Sequence, residues 1–157
     1  MKITVVSIGK TVKGFVYQGV EEYLKRLTRY IKVDFIVLPD VKNSKNLTQP
    51  QLLNKEELLL MPYIEACPMV YLLDEKGKQF TSVQLAKFFE AKMLAGAKEV
   101  ILIIGGAYGV SDRIKESVQG KIALSNLTFS HQMVRVILLE QLYRAMTILK
   151  GEPYHHS

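Results

Sequence analysis

Two stretches of the chain, MVYLL (69–73) and VILII (100–104), are apolar at every position. A strand with one face in water alternates apolar and polar residues, whereas a strand covered on both faces does not. Segments of helical period separate such runs. That succession predicts a parallel sheet with helices packed against both sides, an α/β fold.

The rest of the pattern fills in the order. Lys2 to Ile8 reads as a first strand, and Phe15 to Tyr30 as a helix with Phe15, Val16, Val20, Tyr23, Leu24 and Leu27 at helical spacing. Val33 to Leu38 predicts a second strand, closed by Pro39-Asp40 and followed by the polar loop VKNSKNLTQ. Thr48 and Pro50 open a helix that is expected to end or kink at Pro62. After MVYLL, Asp74 to Gln79 reads as a charged loop, and Ser82 as the cap of a helix that reaches Ala95 and stops at Gly96. A short helix over Ser111 to Val118 and a short strand over Lys121 to Ser125 follow. Ser130 to Lys150 predicts a long last helix, with Val134, Ile137, Leu138, Leu142, Ala145, Ile148 and Leu149 on one arc. No internal repeat or linker interrupts the series, so one domain over residues 1–157 is expected.

The fourth strand breaks into Gly105-Gly106-Ala107-Tyr108-Gly109. In open parallel sheets, ligands sit outside the carboxyl ends of the strands. Glycines placed there let a flat ring approach the backbone, although a tight turn needing positive φ explains them equally. A dinucleotide fold is excluded: the turn after the first strand reads GKTVKG, not GxGxxG, and the GxxxxGK[ST] phosphate loop is absent too.

The formal net charge of +6 suits a polyanion partner, or simply solubility. Cys67, the one cysteine, allows neither an internal disulfide nor a cysteine metal cluster, and no metal is expected. There is no run of about 18 apolar residues to cross a bilayer, and the opening MKITVVSIGK lacks the features of a secretory signal. A cytoplasmic protein is expected.

The last third narrows the field. IGGAYG, LSNLTF, HQMVRVILLEQLYRA and the final YHH, together with MKITVVSIGK, EEYLKRL, LPD and LDEKGK, resemble the RlmH family of SPOUT-class methyltransferases over the whole chain. The resemblance implies S-adenosyl-L-methionine-dependent methylation of N3 of a pseudouridine in 23S rRNA, in the helix 69 loop of the assembled 70S ribosome. It also implies a homodimer that uses neither DNA nor a membrane. The implied fold ends in a deep C-terminal trefoil knot. By the same resemblance the cofactor lies against Leu73, Gly105 and the loop Leu124, Ser125, Asn126, Leu127, Thr128 and Phe129. One departure is Ser130, which stands where the family usually has proline before HQM; serine is a good helix cap.

Such a transfer requires the base nitrogen to be aligned with the methyl group and its imino proton removed. Negative charge then develops on the uracil oxygens, where a cation or donor stabilises it. Residues suited to these tasks are His131, Arg135, Arg144, Tyr154 and His155, each with a plainer alternative. Arg144 has the spacing of a helix ion pair with Glu140. His131 suits a packed imidazole, and Arg135 sits where it would bind phosphate or pack. A terminal YHH after Gly151 and Pro153 is commonly frayed and buries little, whereas the resemblance places Tyr-His over the cofactor pocket. Two other classes compete with the enzyme: a non-catalytic ribosome-binding or assembly factor that keeps the fold, and a nucleotide-binding enzyme of small substrates.

Overall fold

The computed structural model describes residues 1–155. In chain order it comprises β1 (Lys2–Ile8), α1 (Phe15–Leu27), β2 (Lys32–Leu38), a 3-10 turn (Ser44–Asn46), α2 (Gln49–Ala66) and β3 (Val70–Gln79). Then follow α3 (Ser82–Leu94), β4 (Glu99–Ile104), α4 (Asp112–Ser117), β5 (Gly120–Ala123) and α5 (Met133–Leu149). The five strands form one sheet in the order β2-β1-β4-β3-β5, and all neighbours are parallel.

Why the strands read as unbroken apolar runs is visible in their neighbours. Val100, Leu102 and Ile104 of β4 point into one core with α1, α3 and α5, while Ile101 and Ile103 point into a second core with α2 and α4. β1 divides in the same way, with Ile3 and Val5 on one side and Val6 and Ile8 on the other. Successive side chains leave a strand on opposite faces, so two covered faces demand an apolar residue at every position.

Four elements depart from the sequence pattern. Asp74 to Gln79 is the second half of β3, not a loop. Its charges are tolerated because this half has no partner in β4 and pairs only with β5, through Lys78 and Gln79 after a register shift. α2 continues through Pro62 to Ala66, since Pro62 sits on the exposed side of the helix. The proline costs one backbone bond where water can replace it. α3 is capped by Thr81, one residue earlier than expected, in a reciprocal capping box with Gln84. The regular part of α5 begins at Met133, although Ser130 still acts as a cap, its hydroxyl accepting from the Met133 amide at 3.1 Å.

α5 lies between α1 and α3 and is buried along Leu138, Leu139, Leu142, Ala145 and Met146. The stripe is rotated from the expected arc, which contained neither Leu139 nor Met146, because the helix is flanked on two sides. Arg135 also belongs to this buried face.

Candidate active site

A cavity of about 770 Å³ opens at the carboxyl ends of β3, β4 and β5. This is within the usual range for a pocket that holds an organic ligand. Leu72 and Leu73 end the apolar part of β3, Ile104 and Gly105 end β4, and Leu124, Ser125, Leu127, Thr128, Phe129 and His131 come from the segment joining β5 to α5. Asn126 is not part of the wall. Its side-chain Oδ1 accepts from the Gln79 side-chain Nε2, and the Thr128 hydroxyl donates to Glu75, so the segment is tied to the outer half of β3.

Gly105 has a reason internal to the protein. A Cβ there would lie 2.8 Å from the Gly109 carbonyl oxygen and 2.9 Å from Val110. The loop folds directly back over the strand end, Gly109 takes φ of 79°, and the Gly109 amide donates to the Gly106 carbonyl at 3.1 Å. The turn reading of the glycines therefore holds, and the turn stands at the rim of the cavity. Gly77 is a comparable close approach, its would-be Cβ falling 2.6 Å from the Ile122 backbone nitrogen. Only glycine lets the shifted half of β3 lie on β5 there.

The five proposed reacting residues separate into three places. His131 lines the cavity. Burial first, and then the charge of Arg135, hold its imidazole below the usual value near 6.5, so it is neutral at physiological pH. Arg135 lies beneath the cavity, fully buried. Its Nε donates to the His131 carbonyl at 3.0 Å, one terminal nitrogen to Thr11 Oγ1 at 2.8 Å, and the other to the Ile8 carbonyl at 2.8 Å. The guanidinium thus pins the turn before α5 to the end of β1.

Arg144 and Tyr154 form a separate cluster outside the cavity wall. Arg144 makes the ion pair with Glu140 that its spacing suggested, at 2.5 Å, and its guanidinium lies 4.7 Å from the centre of the Tyr154 ring. Tyr154 packs edge-on against Tyr143, and its hydroxyl donates to Glu140 Oε1 at 3.2 Å. Burial, with Tyr23 and Glu140 nearby, pushes that phenol well above its ordinary value. Tyr30 donates to Glu152 as well. The tail is therefore docked through residue 154, which corrects the expectation that it buries little. His155 is half-buried at its end, and the two residues beyond lie outside those described.

Sequence reasoning passed over several members of the site. Asp74 and Glu75 line the cavity because the supposed loop is strand. A second, smaller cavity of about 170 Å³ adjoins the first and shares Gly106, Ala107, Tyr108 and His131 with it. Glu56 of α2 and Asp40 after β2 lie in its wall. Glu56 was legible in principle: it occupies the buried stripe Glu56, Leu60, Ile64, where a carboxylate is out of place.

The His131 environment has a consequence for stability. A native imidazole that resists protonation contributes stability that is fully present above pH 6.5 and is lost as the pH falls through its native value. The urea midpoint of the wild type should fall between pH 7.5 and 5.5, and that of His131→Gln should fall less. Parallel pH profiles of the two proteins would contradict this.

A parallel sheet with helices on both faces, a cavity at the ends of three strands and a helix returning beside it define an open α/β fold with a ligand-sized cavity at its strand ends. Residues 1–155 match the family described as Predicted SPOUT methyltransferase, and the chain belongs to that family. Curated relatives include the proteins named ribosomal RNA large subunit methyltransferase H of Parabacteroides distasonis, 47% identical over all 157 residues of this chain and the full length of the relative, and of Flavobacterium johnsoniae, 46% identical with the same coverage. Among solved structures, the tRNA (m1G37) methyltransferase of Aquifex aeolicus shares the fold with a TM-score of 0.58 at 14% identity, covering 100% of this chain and 76% of that one.

Proposed function

We propose that this chain is an S-adenosyl-L-methionine-dependent ribosomal RNA methyltransferase that acts on N3 of a pseudouridine in 23S rRNA, in the helix 69 loop of the assembled 70S ribosome. The observation that carries the reading is the cavity at the strand ends, with one neutral histidine in its wall, in a chain whose full-length relatives are named ribosomal RNA large subunit methyltransferase H. The whole chain is read as one methyltransferase domain, working in the cytoplasm where ribosomes are, without DNA or a membrane.

The cavity suits the cofactor. Its apolar surfaces (Leu73, Leu124, Leu127, Phe129) accept an adenine ring, and its charged lining, Asp74 and Glu75 with Lys76, Lys115 and Lys121, suits a ligand that carries both positive groups and a carboxylate. Leu73, Gly105 and the segment from Leu124 to Phe129 would hold it, Asn126 by fixing that segment to β3. Bound there, S-adenosyl-L-methionine supplies an electrophilic methyl group.

The chain's own residues do the rest. His131, neutral and at the cavity wall, takes the imino proton from N3. Arg135 is a positioning residue that holds the His131 turn through its carbonyl. Arg144, Tyr154 and His155 act across a homodimer, where the cluster of one protomer faces the cavity of its partner and the Arg144 guanidinium stabilises charge on the uracil oxygens. Exposed apolar Val12, Phe15 and Met133 support such an interface. They are joined at its edge by Gln132, which bonds the Val12 amide at 2.9 Å and the Lys10 carbonyl at 2.9 Å. The trefoil knot is supported by the path of the chain. Residues 122–128 are held against the outer half of β3 before α5 passes between α1 and α3.

The test is transfer of labelled methyl from S-adenosyl-L-methionine to 70S ribosomes and to naked 23S rRNA at matched salt, with the product mapped by mass. Transfer to the intact ribosome should exceed that to naked RNA by at least tenfold, because a small protein reads the shape of an assembled particle. Failure to bind S-adenosyl-L-methionine, with transfer to neither substrate, would favour the assembly-factor alternative.

A further inference from the structure

Glu56 is 6% exposed, and its Oε2 has no hydrogen-bond partner among the described residues. Its carboxylate abuts Gly106, where a Cβ would lie 2.7 Å from Oε1. Both residues line the smaller cavity. A leucine at this position would continue the apolar stripe of α2, whereas an unpartnered carboxylate withdrawn from water is costly unless a ligand supplies a donor. Burial first, and then the charge of Asp40, push the Glu56 carboxyl above its ordinary value, so a donor reaching it relieves an unfavourable site.

The chemistry of the small cavity is one-sided. Its wall offers the carboxylates of Glu56 and Asp40 and the hydroxyl of Ser44, and it contains no lysine or arginine. Asp40 is only lightly engaged, accepting from the Lys10 amide at 3.4 Å. Such a wall rejects phosphate and takes N–H donors. At about 170 Å³ the cavity falls below the range for drug-sized ligands and suits a single ring. Because it shares Gly106, Tyr108 and His131 with the larger cavity, a ring seated in it borders a molecule held there.

We propose that Glu56 is the residue that distinguishes pseudouridine from uridine, by accepting the N1–H of the target base in this small cavity. The inference rests on the function proposed above. Pseudouridine is joined to its ribose through carbon, so it carries N–H groups on both sides of its C2 carbonyl. Uridine spends N1 on the glycosidic bond and keeps N3–H alone. With N3 turned towards His131 and the methyl donor, N1–H is left for the free carboxylate oxygen. A uridine in the same place offers nothing to Glu56 and leaves it buried and unpaired.

The experiment compares two ribosome preparations, one with pseudouridine at the target and one from cells lacking the pseudouridine synthase, so that uridine stands there. Single-turnover transfer is measured for the wild type, Glu56→Leu and Glu56→Gln, with calorimetric affinity for S-adenosyl-L-methionine and a thermal melt of each. The wild type should prefer pseudouridine by roughly tenfold to a hundredfold. In Glu56→Leu that ratio should fall close to one, chiefly through slower transfer to pseudouridine, with cofactor affinity changed by less than about twofold. Its melting temperature should be equal or higher, since a buried unpaired carboxyl has been removed. Glu56→Gln, which keeps an acceptor without the charge, should give an intermediate ratio, and it decides the matter if the leucine variant fails to fold. A ratio unchanged by either substitution, or a wild type indifferent to the two substrates, overturns the role of Glu56 alone. A wild type that methylates neither ribosome overturns the proposed function together with it.

Discussion

Arg135→Ala should lower the stability of the protein by about 2–4 kcal/mol, read as a shift in urea unfolding. The side chain is fully buried and makes three hydrogen bonds, to the Ile8 and His131 carbonyls and to the Thr11 hydroxyl. Truncation leaves a cavity and strips those acceptors of their donors. Arg135→Met separates fold from function. It fills most of the volume and removes a charge that has no carboxylate within ion-pair distance among the described residues, so its stability should stay closer to wild type. Its methyl-transfer rate should nevertheless drop by about a hundredfold, because the turn carrying His131 is no longer pinned to β1. A methionine variant with the full rate would show that Arg135 serves packing alone.

Removal of residues 154–157 should slow single-turnover transfer by about a hundredfold or more and cost about 1–2 kcal/mol of stability. The rate loss follows from the proposed role of Tyr154 and His155 at the partner's cavity. The stability loss follows from what Tyr154 touches: an edge-on contact with Tyr143 at 4.7 Å, the guanidinium of Arg144, and the Glu140 carboxylate. Tyr154→Phe keeps the ring and loses the hydroxyl, and should melt within a degree or two of wild type. A truncated protein of undiminished rate would remove Tyr154 and His155 from the site.

The two cores were readable because each strand advertises its burial. Every position of VILII must be apolar when α1, α3 and α5 cover one face and α2 and α4 the other. The outer half of β3 was not readable, since DEKGKQ is held in the sheet by backbone bonds to β5 that need no apolar side chains. Propensity likewise marked Pro62 as a stop, but one proline on a solvent face does not outweigh the burial of Leu60 and Ile64 on the opposite side. At the site, the strand-end glycines and His131 were legible from their type and place. Glu56 could be picked out only as a carboxylate in an apolar stripe, and Asp40 not at all, because their shared meaning comes from a cavity assembled by α2, the 38–44 connection and the Gly106 loop, which no local pattern links. The sequence also could not tell that Arg144 and Tyr154 share one cluster, apart from the histidine ten or more residues before them.

β5 and the segment leading to α5 are the last parts of the cavity wall to be synthesised, yet β5 pairs Gly120 with Tyr71, and α5 lies against α1 at the other end of the chain. A nascent chain that has emerged only as far as β4 therefore has strands but no complete cavity, and one face of its sheet lacks the helix that packs between α1 and α3. Closure depends on contacts between residues far apart in sequence, which form slowly. Competence to bind a ligand should accordingly arise in one late step once α5 has emerged, and a chain stalled before residue 133 should be a target for chaperones and proteases instead of a partly active enzyme.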